Sequence, residues 1–170
     1  IDKSEKRLNL MRENMDRLNF DFELINVDVF DYKPKKVYDV ILLDPPCTAT
    51  GTIGKNPDLQ FLHPLDKLDE LMEIQQKMLD RCVDWLREDG SIIYSVCSLL
   101  KEEGENQITK FLDNNNRFSA LDPKSGHNLK AEGIEIQKDR GVRIMPFFEE
   151  KIGGTEGFYI AYLQAKGKNN

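Results

Sequence analysis

Two apolar runs stand out in the hydrophobic pattern of this chain, and each one ends abruptly at polar residues. Residues 40–43 read Val-Ile-Leu-Leu and stop at Asp44 and two prolines, whereas residues 91–96 read Ser-Ile-Ile-Tyr-Ser-Val and stop at Cys97. Continuous apolar and β-branched runs are typical of strands that are buried on both faces of a parallel sheet. We therefore predict two such strands, followed by turns that carry Cys47 and Cys97.

A helical pattern occupies the first part of the chain. Apolar residues recur there at three- and four-residue spacing, which places them on one face of a helix: Leu8, Met11, Met15 and Leu18. Asp2 and Glu5 have the spacing of a capping box, so we expect this helix to begin directly after the end of a strand. Residues 22–27 then alternate between apolar and polar types, which predicts a strand that ends at Asp28.

The longest periodic segment covers residues 66–87 and predicts a helix that is closed by Gly90. Its apolar stripe includes Cys82, which we interpret as a small buried hydrophobic residue and not as a reactive thiol. Trp85 is expected in the core as well. Residues 52–64, before this helix, contain glycine and proline and predict a long loop with a functional role.

A further helix is predicted at residues 101–112, where Glu102 and Glu103 in the first turn favour the helix dipole and need no catalytic role. Residues 116–140 are polar and weakly patterned, which is typical of a strand with an extended connection. Residues 141–163 predict two antiparallel strands joined by a loop. Together these elements predict an α/β fold with a mostly parallel sheet and an antiparallel C-terminal hairpin.

The composition and the charge of the chain limit its size class and its partners. With 170 residues, of which 39% are hydrophobic, the chain is long enough for one domain with a real core. Its net charge of −6 and pI of about 5.1 have the wrong sign for binding nucleic acid by bulk electrostatics, so such contacts would be local or come from outside this chain. Two basic clusters are interpreted as solvated surfaces: Lys33, Lys35 and Lys36, and Lys138, Arg140 and Arg143.

Other features of the composition concern the cellular location. The chain has three cysteines and no signal peptide, which favours a reducing, cytoplasmic compartment. Its apolar runs are shorter than the roughly 20 residues that a membrane span needs, so no membrane association is expected. We expect His63 on the surface, and we expect no metal site.

The ends of the two predicted strands are the strongest candidates for a functional site. In open α/β sheets, ligands bind beyond the carboxyl ends of the strands, so Asp44, Cys47 and Cys97 should meet at one edge of the sheet. The prolines between Asp44 and Cys47 have no N–H group and leave rigid backbone acceptors there. The first motif alone fits an ordinary proline turn with a buried cysteine equally well; the second strand-end cysteine favours a site.

Asp44-Pro-Pro-Cys47 together with Val96-Cys-Ser98 resembles the Sun-type (RsmB-like) family of RNA cytosine-5 methyltransferases, which carry Asp-Ala-Pro-Cys-Ser and Thr-Cys-Ser. The motifs and their flanking segments follow the family's order across nearly all of the chain, with departures at Pro45, Thr48 and Val96. The resemblance implies a Rossmann-like S-adenosylmethionine-dependent methyltransferase fold. Residues 1–165 would be part of the catalytic domain, with its N-terminal strand or strands missing, and residues 166–170 a tail.

The resemblance also implies roles for individual residues. Asp2 would bind the ribose and Asp28 the adenine amino group of S-adenosylmethionine, whereas Cys97 would be the nucleophile and Cys47 would assist product release. Asp44 would serve the base, if burial keeps it protonated beside the ring N3, or the cofactor, and the sequence leaves both open. The family's Gly-rich cofactor loop has no counterpart in these residues, so we expect a piece of a longer protein that binds cofactor weakly and turns over little by itself.

The implied function is methyl transfer to C5 of a cytosine in RNA, with small-subunit ribosomal RNA as the expected substrate, through a covalent cysteine–C6 adduct. The implied partner is RNA, held by an N-terminal RNA-binding domain absent from this chain. In the loop, Gly54 replaces a family arginine, and Lys55 is the candidate substitute for its phosphate contact. Alternatives are a transfer RNA cytosine-5 methyltransferase, an amino-group methyltransferase of the Asp-Pro-Pro type, and a non-catalytic RNA-binding module.

Overall fold

A computed structural model describes residues 1–62, 64–121, 134–137, 141–147 and 153–167. These residues form two compact units, Ile1–Lys36 and Val37–Asn170, which are treated separately below. Three residues named in the sequence analysis, His63, Lys138 and Arg140, lie outside the described residues. No helix within the described part of the chain is long and apolar enough to cross a membrane.

The unit Ile1–Lys36 contains one helix, α1 (Glu5–Arg17). Its N-cap is Ser4, whose hydroxyl accepts a hydrogen bond from the backbone N–H of Arg7 (3.4 Å). The predicted capping box of Asp2 and Glu5 is therefore wrong. Asp2 lies too early to cap the helix because its backbone pairs with the segment around Asn26 in a parallel bridge.

That bridge replaces the strand predicted at residues 22–27. The N–H of Asp2 donates to the carbonyl of Ile25 (3.2 Å), and the N–H of Val27 donates to the carbonyl of Asp2 (3.3 Å). Among the described residues of this unit Asp2 alone pairs with the segment, so a single bridge forms and the strand prediction is wrong. Residues of the predicted apolar stripe of α1 differ in exposure, since Leu8 is buried whereas Met11 and Leu18 are exposed. The predicted solvent exposure of three basic residues is confirmed: Lys33, Lys35 and Lys36.

The unit Val37–Asn170 is built on a sheet with two long helices, α2 (Leu68–Trp85) and α3 (Glu105–Asn114). The strands are β1 (Tyr38–Leu43), β2 (Leu86–Val96), β3 (Phe118–Ala120), β4 (Ile134–Gln137), β5 (Gly141–Ile144) and β6 (Phe158–Ala165). Their order is β1-β2-β6-β5-β4, and β3 also pairs with β6. β1 and β2 are parallel, whereas β6 runs antiparallel to both β2 and β5. The predicted antiparallel C-terminal pair is thereby confirmed.

β1 lies at one end of this strand order, and its two faces differ. Leu43 is buried, whereas Val40 and Leu42 on the opposite face are 51% and 70% exposed. The prediction of a strand buried on both faces is wrong for β1, because the described residues cover only the face that carries Leu43. The same asymmetry leaves Asp44, the residue that follows β1, exposed.

The helices differ from their predicted bounds at both ends. The predicted loop at residues 52–64 is partly folded into short 3₁₀ turns, Thr50–Thr52 and Pro57–Phe61. α2 ends at Trp85, and Gly90 does not close it, because the next residue, Leu86, is buried and already pairs with Tyr38 in the sheet. α3 begins at Glu105, four residues later than predicted, after a turn.

The core of this unit lies between the sheet and the two helices. As predicted, Cys82 and Trp85 are buried, with exposed fractions of 1% and 7%. Burial raises the pKa of the Cys82 thiol to about 12, as expected for a structural and unreactive cysteine. The largest fully buried apolar side chains come from both strands and helices: Tyr94, Tyr159, Phe111, Leu79, Ile92, Ile108 and Leu163.

Candidate active site

The structure brings the two strand-end cysteines into contact. Cys47 follows β1 across Pro45 and Pro46, Cys97 follows β2 directly, and the two Sγ atoms lie 3.4 Å apart. Parallel neighbouring strands carry their carboxyl ends to the same edge of a sheet, which is why residues 50 positions apart in the chain meet there. Both side chains are half-buried and neither forms a disulfide.

Backbone hydrogen bonds join the two cysteine loops to each other and to Gly157, the residue before β6. The N–H of Gly51 donates to the carbonyl of Cys97 (3.0 Å), and the N–H of Gly157 donates to the carbonyl of Gly51 (2.7 Å). A Cβ atom on Gly51 would lie only 2.0 Å from the Gly157 oxygen, so this junction requires a glycine. Thr50 adds a side-chain link, since its Oγ1 accepts from the N–H of Leu99 (3.0 Å).

The two thiols have opposite pKa shifts. The hydrogen bond donated by Cys47 lowers the pKa of Cys97, although burial and the nearby carboxylate of Asp44 act against this effect. The pKa of Cys47 is raised by its hydrogen bond to Cys97 and by burial. We assign the proton to Cys47 because it is the more buried of the two sulfurs. The pair is therefore suited to hold a thiolate on Cys97 next to a neutral thiol on Cys47.

Asp44 lies on the same edge but is exposed. The burial among strand residues that was expected for Asp44 is not observed. Successive side chains along a strand point to opposite faces, so Asp44 follows Leu42 onto the face of β1 that the described residues do not cover. Its charge is nevertheless close enough to Cys97 to oppose ionisation of that thiol.

Glu103 is a site residue that the sequence analysis missed. It is 0% exposed, and it lies before α3 and not in its first turn, so its predicted role at the helix dipole is wrong. The carboxylate accepts from the N–H of Thr48 (2.9 Å), from the hydroxyl of Thr48 and from the amide of Gln75 (2.9 Å). Gln75, a polar residue within the apolar stripe of α2, is the sequence signal that could have indicated a buried polar network.

Arg143 is the second residue whose environment differs from the prediction of a solvated surface. Its side chain is 4% exposed, and its guanidinium group forms a buried bidentate ion pair with Glu105. It also donates to the carbonyls of Ser98 (3.0 Å) and Leu100 (3.4 Å) and lies over the ring of Tyr159, 5.3 Å from its centroid. The strand pair β5–β6 thus fixes the loop that follows Cys97.

Lys55 has a protein partner in this structure. Its ammonium group lies 3.2 Å from the carboxylate of Glu156. The ammonium is exposed, and exposed ion pairs contribute roughly 1 kcal/mol or less, so this pair would open easily for a stronger anion. The suggested phosphate contact of Lys55 stays a prediction.

In the unit Ile1–Lys36, Asp2 is one partner of the parallel bridge to Asn26, and Asp28 lies two residues after Asn26. Arg7 binds the carboxylate of Asp2 through two hydrogen bonds (2.7 and 2.8 Å) and lowers its pKa. The carboxylate of Asp28 accepts from the N–H of Phe30 (3.0 Å) and lies 3.7 Å from the ammonium group of Lys3. Two carboxyl groups near this bridge fit the hydroxyl and amino donors of a nucleoside, provided that Arg7 releases Asp2.

The sequence matches the family model described as 16S rRNA methyltransferase RsmB/F over residues 1–164. Among curated proteins, ribosomal RNA small subunit methyltransferase B of Shewanella oneidensis is 38% identical over 115 residues, covering 66% of this chain and 27% of that protein. The Pseudomonas syringae protein of the same name is 34% identical over 96% of this chain and 36% of its own length. The chain thus spans about a third of the length of these relatives.

Solved structures agree with this assignment. The structure of PH0851 has a TM-score of 0.79 and 27% identity, and covers 94% of this chain and 35% of its own. NSun6 from Pyrococcus horikoshii, solved with SFG, has a TM-score of 0.73 and 28% identity over 96% of this chain and 40% of its own. The predicted Rossmann-like methyltransferase fold is confirmed by these neighbours. The chain belongs to the RsmB/F family of 16S rRNA methyltransferases, as its two cysteine motifs had indicated.

Proposed function

We propose that the protein carrying this chain transfers a methyl group from S-adenosylmethionine to C5 of a cytosine in small-subunit ribosomal RNA. The observation that carries the proposal is the pair of cysteine sulfurs, 3.4 Å apart at the carboxyl ends of two parallel strands. The printed names of the curated relatives support ribosomal RNA as the substrate class. NSun6, which was solved with SFG, supports the cofactor class.

Two thiols are needed because C5 of cytosine is a weak nucleophile. The thiolate of Cys97 would add to C6, and the electrons of the C5–C6 double bond would move into the ring, making C5 nucleophilic. S-adenosylmethionine, when bound, supplies the electrophilic methyl group to C5 and leaves as the neutral thioether. The lowered pKa of Cys97 supports this assignment because the thiolate is the reactive form.

Cys47 is assigned to product release. After methyl transfer, the C5 proton passes to water acting as a base, the C5–C6 double bond forms again, and the bond between C6 and the Cys97 sulfur breaks. The departing sulfur leaves as a thiolate. A neutral Cys47 thiol within hydrogen-bonding distance would donate to that thiolate and lower the barrier to its departure.

Asp44 is assigned to the cytosine ring. Its exposed carboxylate lies close enough to Cys97 to influence that thiol, which supports a contact with a base bound there. A bound base would cover the carboxylate, and burial favours the neutral form that donates to the ring N3. A cofactor contact remains the alternative role, with the ribose and adenine contacts assigned to Asp2 and Asp28.

The acidic chain requires RNA contacts from elsewhere. With a net charge of −6, these 170 residues repel a phosphate backbone at long range. We propose that residues 1–165 are part of a catalytic domain, that 166–170 form a tail, and that an N-terminal RNA-binding domain of the same protein supplies the positive surface. The free cysteines support a cytoplasmic location.

The test uses the full-length protein with methyl-labelled S-adenosylmethionine and separate preparations of small-subunit ribosomal RNA and transfer RNA. The RNA is digested to nucleosides and the label is identified by chromatography. Label in 5-methylcytidine from ribosomal RNA is the expected result. Label in an amino-methylated nucleoside, label in transfer RNA alone, or RNA binding without any label would each contradict the proposal and favour the corresponding alternative.

A further inference from the structure

A buried carboxylate lies next to the cysteine pair without being part of it. Glu103 is 0% exposed, and its two oxygens accept from three donors, the N–H and the hydroxyl of Thr48 and the side-chain amide of Gln75. A buried charge without such partners would be strongly unfavourable, so three donors on one carboxylate show a built polar site. None of the steps assigned above uses this group.

The network around Glu103 holds the backbone on both sides of Cys47. On one side, the N–H of Thr48 donates to Glu103. On the other side, the carbonyl of Pro46 accepts from the same Gln75 amide that donates to Glu103 (3.0 and 2.9 Å). The residue before Cys47 and the residue after it are therefore both tied to this one carboxylate.

The network has few alternative arrangements. The oxygen of the Gln75 amide accepts from the amide of Gln107 (3.0 Å), which fixes the orientation of the Gln75 side chain. The hydroxyl of Tyr94 donates to the backbone carbonyl of Glu103 (2.7 Å). The hydroxyl of Thr48 also lies 3.2 Å from that of Ser98, so the network reaches the residue after Cys97.

We propose that Glu103 is a positioning residue for Cys47: by fixing the backbone on both sides of that cysteine, it holds the Cys47 thiol where it donates to the Cys97 sulfur. The inference rests on the proposed function, because it assigns to Glu103 the geometry that methyl transfer and product release require. Glu103 forms no hydrogen bond to either sulfur in the network described and positions Cys47 through its neighbours, while its charge is one of the smaller causes that raise the pKa of Cys47.

A carboxylate suits this position because two of its three donors, the N–H of Thr48 and the NH₂ group of Gln75, cannot accept. An ionised carboxylate only accepts, whereas an amide offers one accepting oxygen and an NH₂ group that donates. Glu103→Gln keeps the shape of the side chain, but its NH₂ group either faces the two N–H donors or makes the Thr48 hydroxyl accept in place of donating. Glu102→Gln is the matched control, since Glu102 is the adjacent carboxylate and is exposed.

The experiment measures alkylation of individual cysteines by iodoacetamide in the full-length protein, from about pH 6 to about pH 10, with mass spectrometry of the peptides. In the wild type, Cys97 should react at lower pH than Cys47. In Glu103→Gln, the rate at Cys97 near neutral pH should fall about tenfold and recover at high pH, because its thiolate loses a hydrogen bond. Glu102→Gln should match the wild type.

Cys82 is an internal control for unfolding because it is 1% exposed. If Cys82 stays unreactive and Cys97 keeps its wild-type profile in Glu103→Gln, the inference is wrong. If Cys82 reacts, the milder variant Thr48→Val is used, since it removes one donor to Glu103. A smaller decrease in the alkylation rate of Cys97 near neutral pH then supports the inference, and an unchanged rate overturns it.

The alkylation readout contains neither RNA nor cofactor. A wild-type protein that shows the expected alkylation profiles but labels no RNA would contradict the proposed function and leave the role of Glu103 standing. If the wild-type protein forms 5-methylcytidine but Glu103→Gln keeps the wild-type cysteine profiles, the role of Glu103 is contradicted and the proposed function stands. The two claims therefore fail separately.

Discussion

Glu105→Ala removes the anionic partner of a buried guanidinium. The side chains of Glu105 and Arg143 are only 7% and 4% exposed, and the carboxylate accepts two hydrogen bonds from the guanidinium. After the substitution, the positive charge of Arg143 would remain buried with two backbone carbonyls as hydrogen-bond acceptors, those of Ser98 and Leu100. An uncompensated buried charge is strongly destabilising.

The magnitude follows from this geometry. Breaking one partner of a buried ion pair destabilises proteins by about 3 to 5 kcal/mol. The two carbonyls that stay with Arg143 place the expected loss at the lower end, about 3 kcal/mol. The exposed pair of Glu73 and Lys77 on α2 is the matched control, because its side chains are 67% and 60% exposed and such pairs contribute roughly 1 kcal/mol or less.

Urea unfolding of the full-length protein, followed by fluorescence and circular dichroism, measures both substitutions. We expect Glu105→Ala to lower the free energy of unfolding by about 3 kcal/mol and Glu73→Ala to lower it by less than about 1 kcal/mol. The double variant Glu105→Leu with Arg143→Met should lose less unfolding free energy than the sum of the losses of Glu105→Leu and Arg143→Met measured singly, because the double variant leaves no unpaired charge. Equal small losses in Glu105→Ala and Glu73→Ala would refute the reasoning.

Three further predictions concern the cysteines and the glycine junction. Cys47→Ala should slow alkylation of Cys97 near neutral pH about tenfold, because the thiolate loses its donor and its pKa rises, and the rate should recover as pH increases; an unchanged pH profile would contradict this. Gly51→Ala should lower the urea midpoint by the equivalent of at least about 2 kcal/mol, since its Cβ would lie 2.0 Å from a backbone oxygen, whereas Gly54→Ala, which meets nothing within 4 Å, should leave the midpoint almost unchanged. Cys82 in the native protein should resist alkylation up to about pH 10, because burial raises its pKa to about 12, and rapid reaction near pH 8 would contradict its buried role.

Local signals were sufficient to locate the cysteine pair. The apolar runs end at proline or at a polar turn, and those ends depend on a few neighbouring residues, so Cys47 and Cys97 were placed at the correct strand ends. Because parallel strands share one carboxyl edge, the two cysteines were correctly predicted to lie together. The family followed from the residues around those two cysteines.

The supporting residues were not predictable because their partners are distant in the chain. Glu103 receives hydrogen bonds from residues 55 and 28 positions away, and Arg143 pairs with a carboxylate 38 positions away. Glutamates in a polar stretch look like surface residues until such partners are known. The exposure of Asp44 was missed for a related reason, since the cover of each face of β1 depends on which elements pack against the sheet, and these lie far from β1 in the chain.

The proposed reaction requires that Cys97 forms a covalent bond to cytosine during methyl transfer. The direct test incubates the full-length protein with S-adenosylmethionine and small-subunit RNA in which 5-fluorocytosine replaces cytosine, because fluorine at C5 blocks the loss of a proton and traps the adduct. A protein–RNA band on a denaturing gel should form with the wild type and with Cys47→Ala and be absent with Cys97→Ala. A band lost only in Cys47→Ala would reverse the roles of the two thiols, and no band with the wild type would contradict covalent cytosine chemistry.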